Sequence, residues 1–185
     1  MLMKKLLLIV SAFILCACAA TGDNPEQQRA EIAKMNNQVL SDVEKASPGA
    51  MAKAKSAPGY ATFSNAQINL LFVAAGGGYG VVSNNQSGAK IYMDMYEGGF
   101  GFGLGAKDFR ALFVFHTSDA MNTFVNDGWV FGAEADAAAK ANNKGGEVGG
   151  SVTIGDITVY QLTKAGLALQ ATLKGTKYVK NDELN

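Results

Sequence analysis

Ile32, Met35, Val39, Val43 and Ala46 recur at steps of three and four, with Leu40 beside them. That spacing places side chains on one face of a helix and predicts one over Glu26 to Ala46. Ser47-Pro48 follows and reads as the start of a second, short helix, with Ser47 as N-cap and Pro48 in the first turn. It carries Lys53 and Lys55 and stops at Pro58-Gly59. Beyond Gly59 the period shortens to two. Gly59 to Phe63, Ile68 to Ala75, Val81-Val82, Lys90 to Tyr96 and Phe109 to Phe115 predict short strands, and Asn84 to Gly88 has the composition of a hairpin turn. Ser118 to Asn126 interrupts them as a helix, capped by Thr117 or Ser118, with Met121, Phe124 and Val125 on its buried face. Trp129 to Ala139 reads as a strand turning into an alanine-rich stretch, and Asn142 to Gly146 as a loop. Val152 to Leu162, Leu167 to Leu173 and Lys177 to Val179 predict three further strands, with a polar tail over Asn181 to Asn185.

The fold class expected from this order is α+β. N-terminal helices over residues 26–57 precede a curved, largely antiparallel, glycine-rich β-sheet or barrel-like core over residues 59–180, with one inserted helix. The strands are expected to be short, about eight to ten of them. Closure of the sheet would remove edges that invite aggregation. Many of the 22 glycines fall in strand positions rather than turns, which favours tight curvature.

One stretch concentrates this feature. Gly99-Phe100-Gly101-Phe102-Gly103-Leu104-Gly105 alternates strictly. On a strand, Phe100, Phe102 and Leu104 share one face, and Gly99, Gly101, Gly103 and Gly105 leave the other bare. Two readings follow: a bent sheet whose bare face takes a neighbouring element, or a groove for an elongated apolar ligand such as a lipid chain. A dinucleotide site is excluded. Gly101-x-Gly103-x-x-Ala106 fits a loose fingerprint, but Phe109 to Phe115 reads as a strand where that site needs a helix.

The first residues carry Lys4 and Lys5 and then the apolar run Leu6 to Leu15, which is too short to span a bilayer and has the layout of a secretory signal. Leu15 and Ala17 stand three before and one before Cys18, as a lipoprotein signal requires. Residues 1–17 are therefore expected to be removed, leaving a diacylglycerol and an acyl chain such as palmitate on Cys18. Residues 18–25 then form a lipidated tether and residues 26–185 a single domain. Ala19, rather than Asp, follows the cysteine, and the expected location is the outer membrane, facing the periplasm. Multiple acyl chains anchor stably.

Charge narrows the partners. Removing Lys4 and Lys5 from the 16 basic residues leaves 14 against 16 acidic ones. A slightly negative chain is a poor bulk partner for nucleic acid. With Cys18 capped, no thiol remains for a disulfide or a metal.

Chemistry for catalysis is sparse. His116 is the single histidine. His116-Thr117-Ser118-Asp119 looks triad-like, but residues so close in sequence reach triad geometry with difficulty, and a helix-start cluster accounts for them. Asp94, Glu97, Asp108, Glu134 and Asp136 have no spacing that sets an acid–base pair apart. No metal site, cofactor or enzymatic activity is expected. Two lysine groups remain: Lys45, Lys53 and Lys55 near the N-terminal helices, and Lys174, Lys177 and Lys180. Either meets phosphate head groups or simply solubilises the surface.

Four stretches, in order, resemble the SYLF family of lipid-binding domains: Pro58 to Asn65, Gly76 to Val82, Gly98 to Gly105 and Phe131 to Ala135. The resemblance runs from about residue 35 to 182. It implies a compact β-rich domain with N-terminal helices. Eukaryotic members bind phosphoinositide membranes and some bind actin; bacterial relatives look like secreted or lipid-anchored envelope proteins. Lipid binding is carried over as a class, without its ligand.

The expected function is a non-catalytic, lipid-anchored envelope protein whose SYLF-like domain binds membrane phospholipid, anionic lipid included. The candidate lipid-binding residues are Lys53, Lys55, Lys174, Lys177, Gly99, Gly101, Gly103, Phe100 and Phe102. The alternative is an envelope scaffold that binds other envelope proteins and has no specific lipid ligand.

Overall fold

The computed structural model describes residues 20–131, 151–163, 166–167 and 176–185, with the backbone alone described for 67–74, 99–108, 129–131, 163 and 166–167. Helix α1 (Pro25–Ala46) matches the apolar spacing. Asn24 caps it, its side chain accepting from the Gln27 amide at 3.0 Å, with Pro25 in the first turn. Ile32, Met35, Val39, Leu40 and Val43 are buried, as the three-four pattern requires.

Helix α2 (Ala50–Ser56) starts later than expected. Ser47 does not cap it; its amide instead closes α1 on the Val43 carbonyl at 2.7 Å. Gly49 takes the cap position at φ +90°, a left-handed conformation natural to glycine. The Glu44 carboxylate supplies the missing cap from α1, accepting from the amides of Gly49 at 2.9 Å and Met51 at 2.8 Å. Those two amides hold Glu44 below the ordinary carboxylate range. The first helix thus sets the start of the second.

The sheet differs most from expectation. Where several short strands were read, strands β1 (Gly59–Asn84) and β2 (Lys90–Phe115) each run for 26 residues. They pair antiparallel from Ser83↔Lys90 at the turn to Gly59↔Phe115 at the far end, with one register shift between Leu71 and Val73. Gly76 and Gly99 are paired within the ladder: Gly76↔Glu97 and Ala74↔Gly99 are register partners. The turn itself is as expected. The Asn84 carboxamide accepts from the Gln86 and Ser87 amides at 2.9 and 3.0 Å.

This ribbon doubles back on itself. A Cβ at Gly78 would overlap the Ser64 carbonyl, and one at Gly80 the Phe63 ring and the Thr62 carbonyl. Glycine at these two positions lets the ends of β1 pass each other closely. The remaining elements add to each end of the ribbon. Strand β5 (Ile157–Thr163) pairs with the 110–115 part of β2, and β4 (Ser151–Ile154) and β6 (Gly166–Leu167) pair with β5. Strand β7 (Thr176–Lys180) pairs with the 93–97 part of β2, and β3 (Trp129–Phe131) pairs with β7. The result is a seven-stranded antiparallel sheet, strand order β3-β7-β2-β5-β4 with β1 along β2. It is curved and not closed into a barrel: no pairing among the described residues joins β3 to β4.

Two cores result. Between the folded ends lies an aromatic cluster of Phe63, Phe113, Phe115, Phe124 and Tyr178, with Phe63 and Tyr178 centroids 4.6 Å apart and Phe63–Phe113 edge-on at 5.7 Å. Phe124 comes from helix α3 (Ser118–Asn126), capped by Thr117, whose hydroxyl accepts from the Ala120 amide at 3.2 Å. On the outer side, α1 packs Val39 and Val43 over Leu112, Val114, Tyr160 and Leu162. The inserted polar pair Asn36–Thr62 is hydrogen-bonded at 2.9 Å within that contact. Asp42 of α1 also meets Arg110 of β2 at 2.9 Å.

The polar stretch at 181–185 is docked rather than free. Leu184 is buried, its carbonyl accepts from Arg29 Nε at 3.0 Å, and Asn181 donates to both oxygens of Asp94.

A hydroxyl-lined cleft as candidate functional site

The β4–β5 hairpin turns at Gly155, where φ is +55°. Alternation then sorts its side chains. Ile154, Ile157 and Val159 enter the aromatic core. Ser151, Thr153, Thr158 and Tyr160 take the opposite face, as cross-strand partners Ser151↔Tyr160 and Thr153↔Thr158. That face forms one wall of a cleft of about 600 Å³. Lys53 and Ser56 of α2, with the Ala57-Pro58 bend, form the other wall, and His116 at the end of β2 stands at the rim.

Hydrogen bonds fix this polar wall. The Thr158 hydroxyl lies 2.8 Å from His116 Nε2 and 2.8 Å from the Thr153 hydroxyl. The His116 amide donates to the Asp156 carbonyl at 2.8 Å, which continues the β2–β5 ladder by one residue and places the ring. Asp156 itself accepts from Thr117 at 3.4 Å. On the opposite wall, α2 points the end of its backbone toward the cleft, but those carbonyls are occupied. Asn85 Nδ2 donates to Ala54 and Ala57 at 2.8 Å each, and the Ser56 hydroxyl donates to the Lys53 carbonyl at 3.1 Å. Among the described residues no carboxylate lines the cleft. Its charge comes from the Lys53 ammonium.

The expected residues divide. Lys53 lines the cleft; Lys55 is exposed on the same helix outside it. Lys45 pairs with Asp42 at 3.3 Å, Lys180 donates to Asn126 at 2.8 Å, and Lys177 is exposed on β7, a strand on the other end of the ribbon. Lys53 and Lys177 are therefore carried by different elements, α2 and β7. Gly99, Phe100, Gly101, Phe102 and Gly103 form part of β2, with Val73↔Phe100 and Leu71↔Gly103 as register partners; their side-chain surroundings lie outside the described residues, as do Cys18 and Lys174. So do Glu134 and Asp136, and the predicted strand over 167–173 beyond Leu167.

The triad-like string does not assemble. His116 turns to Thr158, whereas Ser118 donates to Gln86 at 3.3 Å. Glu97 is buried beside Asn65, whose Nδ2 donates to it at 2.7 Å, and Asp94 is held by Asn181. No group of three or more metal-ligating side chains occurs among the described residues. No described helix is long and apolar enough to cross a membrane. The residues missed from sequence are Ser151, Thr153, Thr158 and Tyr160. Their signal was present: Ser151-x-Thr153 and Thr158-x-Tyr160 alternate with Val152, Ile154, Ile157 and Val159 around Gly155.

Two comparisons bear on this architecture. Residues 96–185 match the family Ysc84, described as Las17-binding protein actin regulator. The chain is also 29% identical over 120 residues to Beta cell expansion factor A of Aeromonas veronii, across 65% of this chain and 44% of the relative. The match thus spans less than half the length of that relative. The span 96–185 contains two of the four motifs noted above, Gly98 to Gly105 and Phe131 to Ala135. The match covers just under half of the chain, and the two motifs inside it are among those that resemble the SYLF family.

Proposed function

We propose that this chain is a non-catalytic, lipid-anchored protein of the cell envelope whose SYLF-type domain binds phospholipid or the membrane surface. The observation that carries the reading is the cleft: a cavity with a lysine, an imidazole and a wall of hydroxyls, and no carboxylate among its described lining. Such a lining orients and holds a polar ligand. The family supports a binding role rather than a catalytic one. The anchor is Cys18, the location the outer membrane, and the residues between Cys18 and the Asn24 cap of α1 the tether.

Native mass spectrometry of residues 19–185 tests the binding reading. A co-purifying phospholipid of defined mass supports it. A bare protein that also ignores anionic vesicles overturns it. Metabolic labelling with palmitate tests the anchor: label should be present on the wild type and lost in Cys18→Ala.

A second reading has one specific observation behind it. The family's description names a protein partner, Las17. An interaction scaffold of the envelope would capture one envelope protein reproducibly, without lipid.

A further inference from the structure

We infer that the cleft between α2 and the β4–β5 hairpin is a binding site for a phosphate group, with Lys53 as its cation and His116, Thr153 and Thr158 as its hydrogen-bonding wall. This deepens the proposed function, on which it rests, by naming where a phosphate enters the domain.

The argument starts from charge. Among the described residues Lys53 has no carboxylate within 4 Å, whereas Lys34, Lys45 and Arg110 each have one. No carboxylate shares the cleft with it. Asp156, at the turn of the hairpin, accepts from the Thr117 hydroxyl. The carbonyl end of α2 would repel an anion, yet Asn85 and Ser56 already occupy it. An anion entering here meets the Lys53 ammonium and, among the described lining, no carboxylate.

Hydrogen bonding narrows the class. The wall offers hydroxyls at Thr153 and Thr158 and the His116 ring, linked in series at 2.8 Å. Hydroxyls serve as donors or acceptors by rotation, and an ammonium only donates. A phosphate has several acceptor oxygens spread in three dimensions, which a lysine point charge plus rotatable hydroxyls suits. Flat carboxylate recognition favours the planar fork of arginine, which the cleft lacks. The volume of about 600 Å³ exceeds the need of a bare ion and falls in the range of about 300–1,000 Å³ typical of small-molecule sites. A phosphoester with an organic remainder fits that space. Val114 and Tyr160 supply an apolar floor for the remainder.

The shared chemistry is a phosphate ester, from a lipid head group or from a soluble metabolite. The experiment separates them. The full chain is held in micelles of an uncharged surfactant and titrated with glycerol 3-phosphate and with inorganic phosphate. The His116 ring and the amides of 151–160 are followed by heteronuclear NMR. Saturable shifts confined to these groups are expected, stronger for the ester. Lys53→Met and Thr158→Val should each weaken binding about tenfold, the scale of one charge-assisted contact, with the urea midpoint unchanged for Lys53→Met. The same chain is then placed in bilayer discs with and without phosphatidic acid. Movement of the same resonances names a head group as the source. Movement with the soluble ester alone keeps the site and removes phospholipid as its ligand. Absence of shifts with every probe, or full affinity in Lys53→Met, overturns the inference, while vesicle binding that survives both substitutions leaves the proposed function standing without this site.

Discussion

The two faces of the β4–β5 hairpin share one backbone and differ in everything else. One face gives Ile154, Ile157 and Val159 to a core that holds Phe63, Phe109, Phe113, Phe115, Phe124 and Tyr178. The other gives Ser151, Thr153, Thr158 and Tyr160 to the cleft. Apolar burial contributes about 25 cal/mol per Å², so the first face carries stability. Hydroxyls at a half-open surface contribute little to folding and are free to serve recognition. The contrast implies that substitutions should separate: changes on the core side unfold the protein, and changes to Thr153 and Thr158 on the cleft side alter binding alone, whereas Tyr160 also belongs to the outer core under α1.

The hardest blow to the core side comes at the point where the ribbon passes itself. Gly80→Val would drive a branched side chain into the Phe63 ring and the Thr62 carbonyl, and backbone cannot move aside as a side-chain tip can. The loss should be about 3 kcal/mol or more, or folding should fail, read by urea denaturation and expression yield. Soluble, wild-type-like Gly80→Val would show that the doubling is not what the core depends on.

Phe124→Ala follows. Phe124 joins Phe113, Phe115 and Tyr178 at ring distances of 5.1 to 5.6 Å. Removing it should cost about 3–5 kcal/mol by the same measurement. A cost below about 1 kcal/mol would mean that α3 is an accessory to the core rather than its lid.

Alkaline pH gives a gentler probe of the same core. Burial, reinforced by the Glu97 carboxylate, holds the Tyr178 phenol above its ordinary 10.0. The folded state therefore keeps a proton that the unfolded state releases. Its contribution is complete below about pH 10 and declines as pH rises further. Urea midpoints at about pH 8 and about pH 11 should fall more steeply in the wild type than in Tyr178→Phe. Burial also raises the Tyr79 phenol, followed by the Glu31 charge, so some slope should remain in the variant. Equal slopes in the two proteins would place the alkaline sensitivity elsewhere.

The smallest effect on folding is expected across the sheet from that core. Thr153→Val keeps shape and branching on an exposed strand position and should alter stability by no more than about 0.5 kcal/mol. It should nevertheless weaken phosphate-ester binding, because the hydroxyl relay through Thr158 loses one member. A Thr153→Val variant that loses stability and keeps its affinity would invert the division of labour.

How much of this was legible in the chain depends on how local the cause is. Helices α1 and α3 were readable almost to the residue, since spacing and caps lie within a few positions. The start of α2 was misread because Ser47 was consumed by the preceding helix and the cap came from Glu44. Strand lengths were misread because Gly76 to Gly80 carries little of the apolar alternation that marks a continuing strand. Gly78 and Gly80 are intelligible only once Ser64, Thr62 and Phe63 are brought against them from the other end of β1. The cleft joins Lys53, His116 and the 151–160 hairpin, positions that no sequence window contains together. His116 was read as part of a helix start, and its partner proved to be 42 residues away.

The long ribbon also dictates an order of events during folding. Pairing in β1–β2 starts seven residues apart, at Ser83 and Lys90, and ends fifty-six apart, at Gly59 and Phe115. The near-turn end closes a short loop at small entropic cost, and each further pair extends from the one before. The 110–115 segment of β2 is the docking edge for β5. On the zippering route, that edge reaches its place beside β1 only after some two dozen residue pairs have formed, so the recognition surface is the last part of the sheet to exist. A chain stalled partway would present an unpaired strand edge to its neighbours. Truncated or slowly translated versions of this protein should therefore aggregate well before they could compete for its ligand.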